Sequence, residues 1–405
     1  MGASQEREWL ISVDDHVIEP GHTWADRLSG EDKERGPHLE KRDGILTWVY
    51  EDKVFPTRVL NAAAGRKKEE FSPAPISFEE MRPGCYDPIA RTEDMNRDGV
   101  ISSLCFPSFP RFCGQTFYEA DDRELGMKCV KAYNDWMVDE WSGSAPGRFI
   151  PMIILPLWDP VAGAAEIERC AAKGAKAITF PENPVPLGLP SIHNRDRYWD
   201  PVFSAANDTG MPFCTHIGSS SQLPTTAPDA PMIVHISVQP VNLMLTTSDW
   251  VFSGIFERFP NVKLCLSEGG IGWIPYVLER LDTTWDHQRA WAAKGHVTLT
   301  AAVEGHGGDI EGAAGWSFDT APSEIFRDHI FGCFIDEVFG TEVIDYIGIG
   351  NVMIETDYPH TDSTWPHSSE IAAERLKDRS AEERFQILQG NAMRVFDFEP
   401  APVPS

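Results

Sequence analysis

The chain has 405 residues, 42% of them hydrophobic, and a formal net charge of −27. Such a charge repels nucleic acids and anionic membranes, so both are excluded as main partners. The N-terminus is polar and no apolar run approaches the length of a membrane span, so we expect a cytoplasmic protein. We expect a small-molecule substrate and a homo- or hetero-oligomer. The eight cysteines are scattered without a CxxC pair, which predicts buried free thiols.

The first predicted strand, residues 9–13, ends in residues that can bind a metal ion. Asp14 and His16 are two residues apart, so in an extended strand they share one face. Asp15 then points the other way, which favours a structural role or one behind the ligands. Glu19, in the following loop, is either a further metal ligand or a turn residue.

A polar region then precedes a regular alternation of strands and helices. Residues 21–90 are rich in Gly, Pro and charge, and within them residues 45–50 and 53–55 predict a β-hairpin over the mouth of a barrel. A second insertion or loop is predicted at 296–322, where Gly and Ala recur without periodicity. The remaining predicted strands are 101–106, 149–155, 175–180, 211–216, 262–267, 331–335 and the run that starts at residue 352. The first predicted helix starts at residue 92. The others span 123–141, 160–173, 197–208, 239–259, 271–294, 340–348, 368–377 and 381–395.

Eight strand–helix steps predict an α/β fold of the (β/α)8 barrel type rather than an open doubly wound sheet. We expect a single barrel domain over residues 1–405, with the insertions at about 21–90 and 296–322. No GxGxxG follows a strand and no GxxxxGK[ST] occurs, so dinucleotide and Walker-type nucleotide sites are excluded.

Chemically active residues recur at the predicted strand ends. Asp14 and His16 follow the first strand, and His216, Glu268 and Asp357 follow the fifth, sixth and eighth. If only one strand end carried such a residue, the simplest interpretation would be an ordinary polar side chain at the edge of a loop. Agreement among four strand ends instead predicts a site for a divalent ion (zinc, manganese or iron), because the carboxyl ends of barrel strands share one face.

His360 stands three residues beyond Asp357, across a turn that contains Pro359. This position predicts a side chain over the barrel mouth, behind the ligands or in the substrate pocket. The alternative is a solvent-exposed loop histidine.

Four motifs resemble the amidohydrolase-related branch of the amidohydrolase superfamily. This branch includes aminocarboxymuconate semialdehyde decarboxylase and related aromatic-acid decarboxylases and hydrolases. The resemblance runs from residue 10 to about residue 396 and rests on residues 11–20, 215–218, 267–275 and 355–360.

The resemblance implies roles for individual positions. The HxH motif of the family's first strand is matched by Asp14-x-His16, its fifth-strand ligand by His216 and its eighth-strand aspartate by Asp357. The sequence departs from the family at two positions. Asp14 replaces a histidine ligand, and Glu268 replaces the sixth-strand histidine that is catalytic in the decarboxylases.

These replacements make the site more anionic, so that it can balance one divalent ion or two. Glu19, His235 and His360 are the candidates for additional ligands of a second ion. Glu268, Asp357 and His360 are the candidate catalytic residues. Glu268 itself is an acid/base, a further ligand, or a carboxylate that only accepts hydrogen bonds from the Gly269-Gly270 turn. A carboxylate at this position is less suited to donate a proton than an imidazolium, which favours hydrolysis or metal-centred oxidation over decarboxylation.

The resulting hypothesis is a metal-dependent hydrolase or non-oxidative decarboxylase of a small carboxylate or carbonyl compound. An alternative is a dinuclear iron oxygenase built on the same barrel, since carboxylate-rich ligation favours iron or manganese over zinc. A third interpretation is a catalytically silent barrel that acts as a partner subunit.

Overall fold

The computed structural model describes residues 7–42, 44–292, 317 and 319–404. Most of the predicted insertion 296–322 therefore lies outside the described residues. In chain order the strands are β1 Leu10–Val17, β2 His38–Arg42, β3 Ile45–Tyr50, β4 Lys53–Phe55, β5 Val100–Pro107, β6 Phe149–Ile150, β7 Met152–Ile153, β8 Ala177–Thr179, β9 Phe213–His216, β10 Leu264–Ser267, β11 Ile330–Phe334 and β12 Val352–Ile354.

The large sheet closes on itself as a barrel. Its strand order is β6-β5-β1-β12-β11-β10-β9-β8-β7, and every pair in it is parallel. β6 and β7 flank Pro151 and are two halves of one strand, because proline has no N–H to donate to the ladder. The nine segments in the described part of the chain are thus eight barrel strands. The predicted (β/α)8 fold is confirmed.

β1 and β12 are neighbours, so the first and last barrel strands close the barrel, as a (β/α)8 fold requires. Ser12 pairs with Ile354 between them. The seventh barrel strand, predicted at 331–335, is observed one residue earlier as β11. This closure brings the two ends of the sequence together at the site described below.

Helices follow the barrel strands. They span His22–Ala25, Glu31–Arg35, Pro88–Asp98, Gln115–Tyr118, Arg123–Asp135, Pro160–Ala171, Asp200–Thr209, Met232–Val238, Val241–Val251, Ile255–Arg258, Ile274–Ala292, Pro322–His329, Val338–Glu342, Ile344–Ile347, Ser368–Arg375, Ala381–Phe385 and Asn391–Val395. Two π-helical turns, Trp136–Ser142 and Gln386–Gly390, extend neighbouring helices. Short 3₁₀ turns occur at Val59–Asn61, Lys68–Glu70, Pro83–Cys85, Val185–Leu187 and Ile349–Asn351.

Several predicted helices differ from the structure in their limits. The helix predicted to start at residue 92 begins at Pro88, because the Asp87 side chain caps it by accepting a hydrogen bond from the Ala90 N–H. The predicted helix 239–259 is broken at Gly254, whose φ of 71° is the left-handed conformation that glycine allows. The predicted helix 340–348 is likewise two short helices.

Two apolar layers hold the barrel together. Ile11 and Val13 of β1 belong to an inner cluster that also contains alternate residues of the other strands, and Ala392 and Val395 of the last helix pack against it. A larger cluster lies between the strands and the surrounding helices. All eight cysteines are buried and unpaired, which confirms the prediction of buried thiols.

The predicted hairpin is part of a three-stranded antiparallel sheet in the order β2-β3-β4. The sequence did not predict β2. Trp48 of β3 packs on Phe109, with ring centroids 4.9 Å apart, in the segment just after β5. The sheet therefore covers part of the barrel mouth, where Trp48 also lines a cleft. Among the described residues, no helix combines the length and the hydropathy of a membrane span.

Candidate metal centre

Four barrel strands carry the candidate metal ligands to one end of the barrel. β1 contributes Asp14 and His16, and β9 ends on His216. Glu268 follows the last residue of β10, and Asp357 lies just beyond the end of β12. The carboxyl ends of parallel barrel strands open on one face, so residues far apart in sequence meet there.

Five side chains form a continuous set of possible ligands. One ligand atom each of Asp14, His16 and His216 lies within 4.8 Å of the others. The Nε2 of His16 is 3.6 Å from Asp14 Oδ1, and the Nε2 of His216 is 3.6 Å from Asp14 Oδ2. A second group joins His16, Asp357 and His360, with His16 Nε2 3.1 Å from Asp357 Oδ1. The two groups share His16.

The ligand atoms are buried and lack hydrogen-bond partners among the described residues. This is true of both oxygens of Asp14 and Asp357, both ring nitrogens of His16 and the Nε2 of His216. Burying so many polar atoms without partners costs a large amount of free energy, and a divalent cation would satisfy them together. The residues present therefore fit a metal ion.

A backbone contact prepares His216 for ligation. Its Nδ1 lies 2.7 Å from the Ile217 carbonyl oxygen, which can only accept a hydrogen bond. Nδ1 therefore carries the proton, and the lone pair of Nε2 faces Asp14 and Glu268. Histidine ligands in metalloproteins are oriented in this way.

Burial and like charge oppose ionisation of the ligands. Burial raises the pKa of Asp14 well above its ordinary value, and the carboxylates of Glu355 and Asp357 raise it further. Burial, followed by the nearby His360, lowers the pKa of His16 well below its ordinary value. A neutral imidazole is the form that binds a metal, whereas Asp14 needs a cation beside it to stay ionised.

Glu268 lies at the edge of the ligand set, outside both groups of three. Its Oε2 is 3.0 Å from His216 Nε2, and its side chain is 15% exposed. Its φ is 59°, and that of Asp357 is 50°, so both carboxylates stand on left-handed backbone. Such strain in a non-glycine residue is concentrated at functional sites. No hydrogen bond from the Gly269-Gly270 turn to the Glu268 carboxylate occurs in the described residues.

The sequence analysis missed Glu355. This buried residue accepts hydrogen bonds from the Glu268 N–H (3.0 Å) and from Cys333 Sγ (2.6 Å). Burial raises its pKa to about 8. Glu355 and Asp357 are two residues apart, like Asp14 and His16, and this spacing was the signal that could have identified it.

His360 joins the ligand set from the turn after Asp357. Its ring stacks on His16 with centroids 3.6 Å apart, and its Nδ1 is 3.1 Å from Asp357 Oδ1. The side chain is 11% exposed, so His360 is not the solvent-exposed loop histidine of the alternative prediction. Burial is the largest single effect and lowers the pKa of His360, but the charge and hydrogen bond of Asp357, together with the carboxylates of Glu268 and Asp362, outweigh it and raise the pKa. Asn61, from the insertion, lies 3.5 Å from its Nε2.

Glu19 and His235 lie outside both groups of ligand atoms. The Glu19 carboxylate accepts hydrogen bonds from the backbone amides of Ser108 and Phe109, at 3.0 and 2.8 Å. Burial raises its pKa to about 7. His235 is half-buried on the helix Met232–Val238 and lies 3.4 Å from the Thr225 hydroxyl.

A cleft of about 410 Å³ lies beside the ligand set and shares His360 with it. The hairpin sheet, the segment after β5 and the turn after β9 form its walls. Its lining includes four aromatic side chains and two arginines: Trp48, Phe55, Phe109, Phe112, Arg58 and Arg111. The Phe112 ring also stacks on His216, with centroids 4.0 Å apart. The cleft therefore combines flat apolar surface with positive charge next to the candidate ligands.

Comparison with known proteins identifies the family. The sequence model of the amidohydrolase family matches residues 21–398. The chain belongs to the amidohydrolase family. It is a metal-dependent enzyme of that family, as the divalent-ion ligand set described above also indicates.

Relatives of this amidohydrolase include decarboxylases. It is 23% identical to the 2-amino-3-carboxymuconate-6-semialdehyde decarboxylase of Dictyostelium discoideum, over 90% of this chain and 89% of the relative. An amidohydrolase structure from Mycobacterium avium subsp. paratuberculosis has a TM-score of 0.72 at 21% identity, covering 97% of this chain and 100% of the other. The 5-carboxyvanillate decarboxylase of Novosphingobium aromaticivorans, in complex with manganese, has a TM-score of 0.63 at 16% identity, with 98% of each chain covered.

Proposed function

We propose that this amidohydrolase is a divalent-metal-dependent, non-oxidative decarboxylase of a small planar carboxylate. The observation that carries the proposal is the set of buried, unpartnered ligand atoms beside an aromatic cleft with two arginines. The activities of its relatives, which are decarboxylations of small carboxylates, point in the same direction.

The cleft suits a flat anion. Trp48, Phe109 and Phe112 offer ring surfaces against which a planar substrate can pack. Arg58 and Arg111 are the cations that line the cleft, and a guanidinium binds a carboxylate with two parallel hydrogen bonds. Arg111 is paired with the Glu119 carboxylate at 2.7 Å, so a substrate carboxylate would share it, whereas no carboxylate among the described residues pairs with Arg58. The rest of this chain, with its net charge of −27, would repel an anion, so these arginines decide where it binds.

The ion would be held by Asp14, His16, His216 and Asp357, and it would supply a Lewis acid that withdraws electron density from the substrate. In the reaction the bond between the substrate carbon and its carboxylate breaks, and carbon dioxide leaves. The electron pair stays on the carbon, which must then take up a proton.

We assign the proton transfer to Glu268. It lies between the ligand set and the surface, with its Oε2 3.0 Å from His216 Nε2 and its side chain 15% exposed. A carboxyl group in that position can take a proton from solvent and deliver it to the substrate carbon. His360, stacked on His16 and paired with Asp357, orients that aspartate.

The test is an assay for carbon dioxide release from dihydroxybenzoates and 5-carboxyvanillate, under anaerobic conditions and in D₂O. We expect oxygen-independent release with one deuterium incorporated at the carbon that loses the carboxylate. Glu268→Gln should retain its metal and lose roughly 10²–10⁴-fold in turnover, the usual contribution of a general acid or base. Glu279→Gln, an exposed position on the helix Ile274–Ala292, is the matched control.

Other outcomes would contradict the proposal. Release of an alcohol or amine from ester or amide substrates, without carbon dioxide, would identify a hydrolase instead. Loss of metal from Glu268→Gln would make this residue a ligand. Unchanged turnover and unchanged metal content would leave it without either role.

The second candidate function is a dinuclear oxygenase, and the overlap of the two ligand groups favours it. Asp14, His16 and His216 form one group, and His16, Asp357 and His360 form the other. Each group combines two histidines with one carboxylate, a donor set that suits non-haem iron. Two ions per chain together with oxygen-dependent turnover would favour this candidate over decarboxylation.

A further inference from the structure

Asp15 is a buried carboxylate that takes no part in either ligand group, yet it is surrounded by hydrogen-bond donors. Its Oδ1 accepts hydrogen bonds from Ser12 Oγ (3.0 Å), Thr356 Oγ1 (2.6 Å) and the Tyr358 N–H (2.9 Å). Its Oδ2 accepts a further hydrogen bond from Ser103 Oγ. Four donors from three neighbouring segments therefore converge on one side chain.

Along the chain, Asp15 and two of its hydrogen-bond donors, Thr356 and Tyr358, stand next to candidate metal ligands. Asp15 lies between Asp14 and His16 on β1, and its side chain points away from theirs, as the strand spacing predicts. Two of its donors belong to the residues immediately before and after Asp357. The two ligand-bearing segments are joined by backbone hydrogen bonds, from the Asp357 N–H to the Asp14 carbonyl oxygen (2.9 Å) and from the His16 N–H to the Tyr358 carbonyl oxygen (2.6 Å). The Asp15 side chain adds a second set of hydrogen bonds between them, behind the ligands.

A buried arginine contacts the same part of β1 and the surroundings of Asp15. Arg91 lies on the helix Pro88–Asp98 and is fully buried. Its Nη2 donates to the His16 carbonyl oxygen at 2.5 Å, and its Nε donates to the Gly84 carbonyl oxygen at 2.6 Å. Its positive charge also acts on the Asp15 carboxylate. The backbone of β1 is therefore held at His16 by Arg91, in addition to the hydrogen bonds of Asp15.

We propose that Asp15 is a positioning residue of the metal centre: it sets the distance between the ligands of β1 and Asp357 by joining their backbones. This inference rests on the ligand assignment made above. A hydrogen-bonded group behind the ligands typically contributes a factor of 10–100 to metal affinity, because it fixes ligands that would otherwise have to be ordered by the ion.

The test measures metal affinity and ligand geometry separately from stability. In Asp15→Asn one oxygen becomes an NH₂ group, which cannot accept the hydrogen bonds now made to that oxygen. We expect manganese and cobalt(II), titrated into metal-depleted protein, to bind roughly 10–100-fold more weakly. We also expect the visible absorption of the bound cobalt(II), which reports coordination geometry, to change.

Asp98→Asn is the matched control. Asp98 is an equally buried carboxylate that accepts hydrogen bonds from the N–H (2.7 Å) and Oγ (2.6 Å) of Ser368 and, among the described residues, makes no hydrogen bond to the ligand set or to Asp15. We expect it to lower the melting temperature but to leave metal affinity and the cobalt spectrum unchanged. If Asp15→Asn does not fold, Ser103→Ala, which removes one of the four donors, is measured in the same way with a smaller expected loss of affinity.

Two results would overturn the proposal. The first is unchanged metal affinity and an unchanged cobalt spectrum in folded Asp15→Asn, or in Ser103→Ala when Asp15→Asn does not fold. The second is an equal loss of affinity in Asp98→Asn, which would reduce the effect to general destabilisation. Failure of the ligand assignment itself is distinguishable, because the wild-type protein would then bind no stoichiometric metal.

Discussion

Two cavities open near the carboxyl ends of the barrel strands, and they differ in charge. The cleft beside the ligand set has a volume of about 410 Å³ and is lined by Arg58, Arg111 and aromatic rings. A groove between the loop after β8, the loop after β9 and the helix Val241–Val251 is larger, about 680 Å³. Its charged lining residues are Glu182, His193 and Asp249, and its lining includes neither lysine nor arginine.

The difference shows that size alone does not identify the substrate site. Glu182 is buried and accepts hydrogen bonds from Ser219 Oγ (2.6 Å) and Ser220 Oγ, and Asp249 pairs with His193 at 2.5 Å. The polar groups of the groove are therefore satisfied by one another. The ligand atoms beside the cleft lack such partners, and the arginines there favour an anion.

The largest expected effect comes from removing one histidine beside each cavity. His216→Ala removes a lone pair from the ligand set and should weaken metal binding at least 100-fold, whereas His193→Ala in the groove should leave it unchanged. Titration of metal-depleted protein with manganese measures both. Equal manganese affinities of His216→Ala and His193→Ala would mean that His216 is no more a metal ligand than His193.

The arginines of the cleft should control substrate affinity. A hydrogen bond to a charged group contributes about 1.5–3 kcal/mol, so Arg111→Ala and Arg58→Ala should each raise KM by roughly 10-fold or more while kcat changes less. Arg42→Ala, on the exposed face of the hairpin sheet, serves as the control. Steady-state kinetics with the substrate found in the decarboxylation assay measure KM and kcat of these variants. If KM were unchanged in both Arg58→Ala and Arg111→Ala, the positive charge of the cleft would not contribute to substrate binding.

Glu19, which also lines the cleft, should make stability depend on pH. Burial raises its folded pKa from 4.5 to about 7. Between these pH values the unfolded chain loses the Glu19 proton while the folded protein keeps it, so folding becomes less favourable as the pH rises. Relative to Glu19→Gln, the wild-type free energy of unfolding should fall by up to about 3 kcal/mol between pH 4.5 and 7 and then stay constant. Urea unfolding across this range measures the difference. A constant difference would show that Glu19 ionises normally.

The smallest effect is expected in the groove. Asp249→Asn breaks a partly exposed pair with His193, an interaction worth about 0–1 kcal/mol. Turnover and KM should stay within a factor of two of the wild type. A larger change in KM would mean that the substrate reaches the groove.

The sequence predicted the barrel because each of its strands is short, apolar and bounded by polar residues. The pairing of β1 with β12 followed from two similar strands at opposite ends of the chain. Helix ends were less predictable. The Asp87 cap moved one start to Pro88, and Gly254 divided a helix that hydrophobic periodicity alone would continue.

The metal centre was predictable in its members and less so in its arrangement. Strand ends place Asp14, His16, His216 and Asp357 on one face whatever the loops do. The two ligand groups share His16 because the turn after Asp357 stacks the His360 ring on the His16 ring. No rule of residue spacing predicts that turn. Glu19 is drawn away by the amides of Ser108 and Phe109, a contact between segments about 90 residues apart.

The central claim is that Asp14, His16, His216 and Asp357, from three barrel strand ends, hold a divalent ion. Elemental analysis of protein purified without added metal, compared with Asp14→Ala/Asp357→Ala purified in the same way, tests it most directly. We predict at least one manganese, iron or zinc ion per wild-type chain and less than a tenth of that in the folded double variant. A folded wild-type protein that neither carries nor takes up a stoichiometric ion, or a double variant that keeps it, would contradict the account.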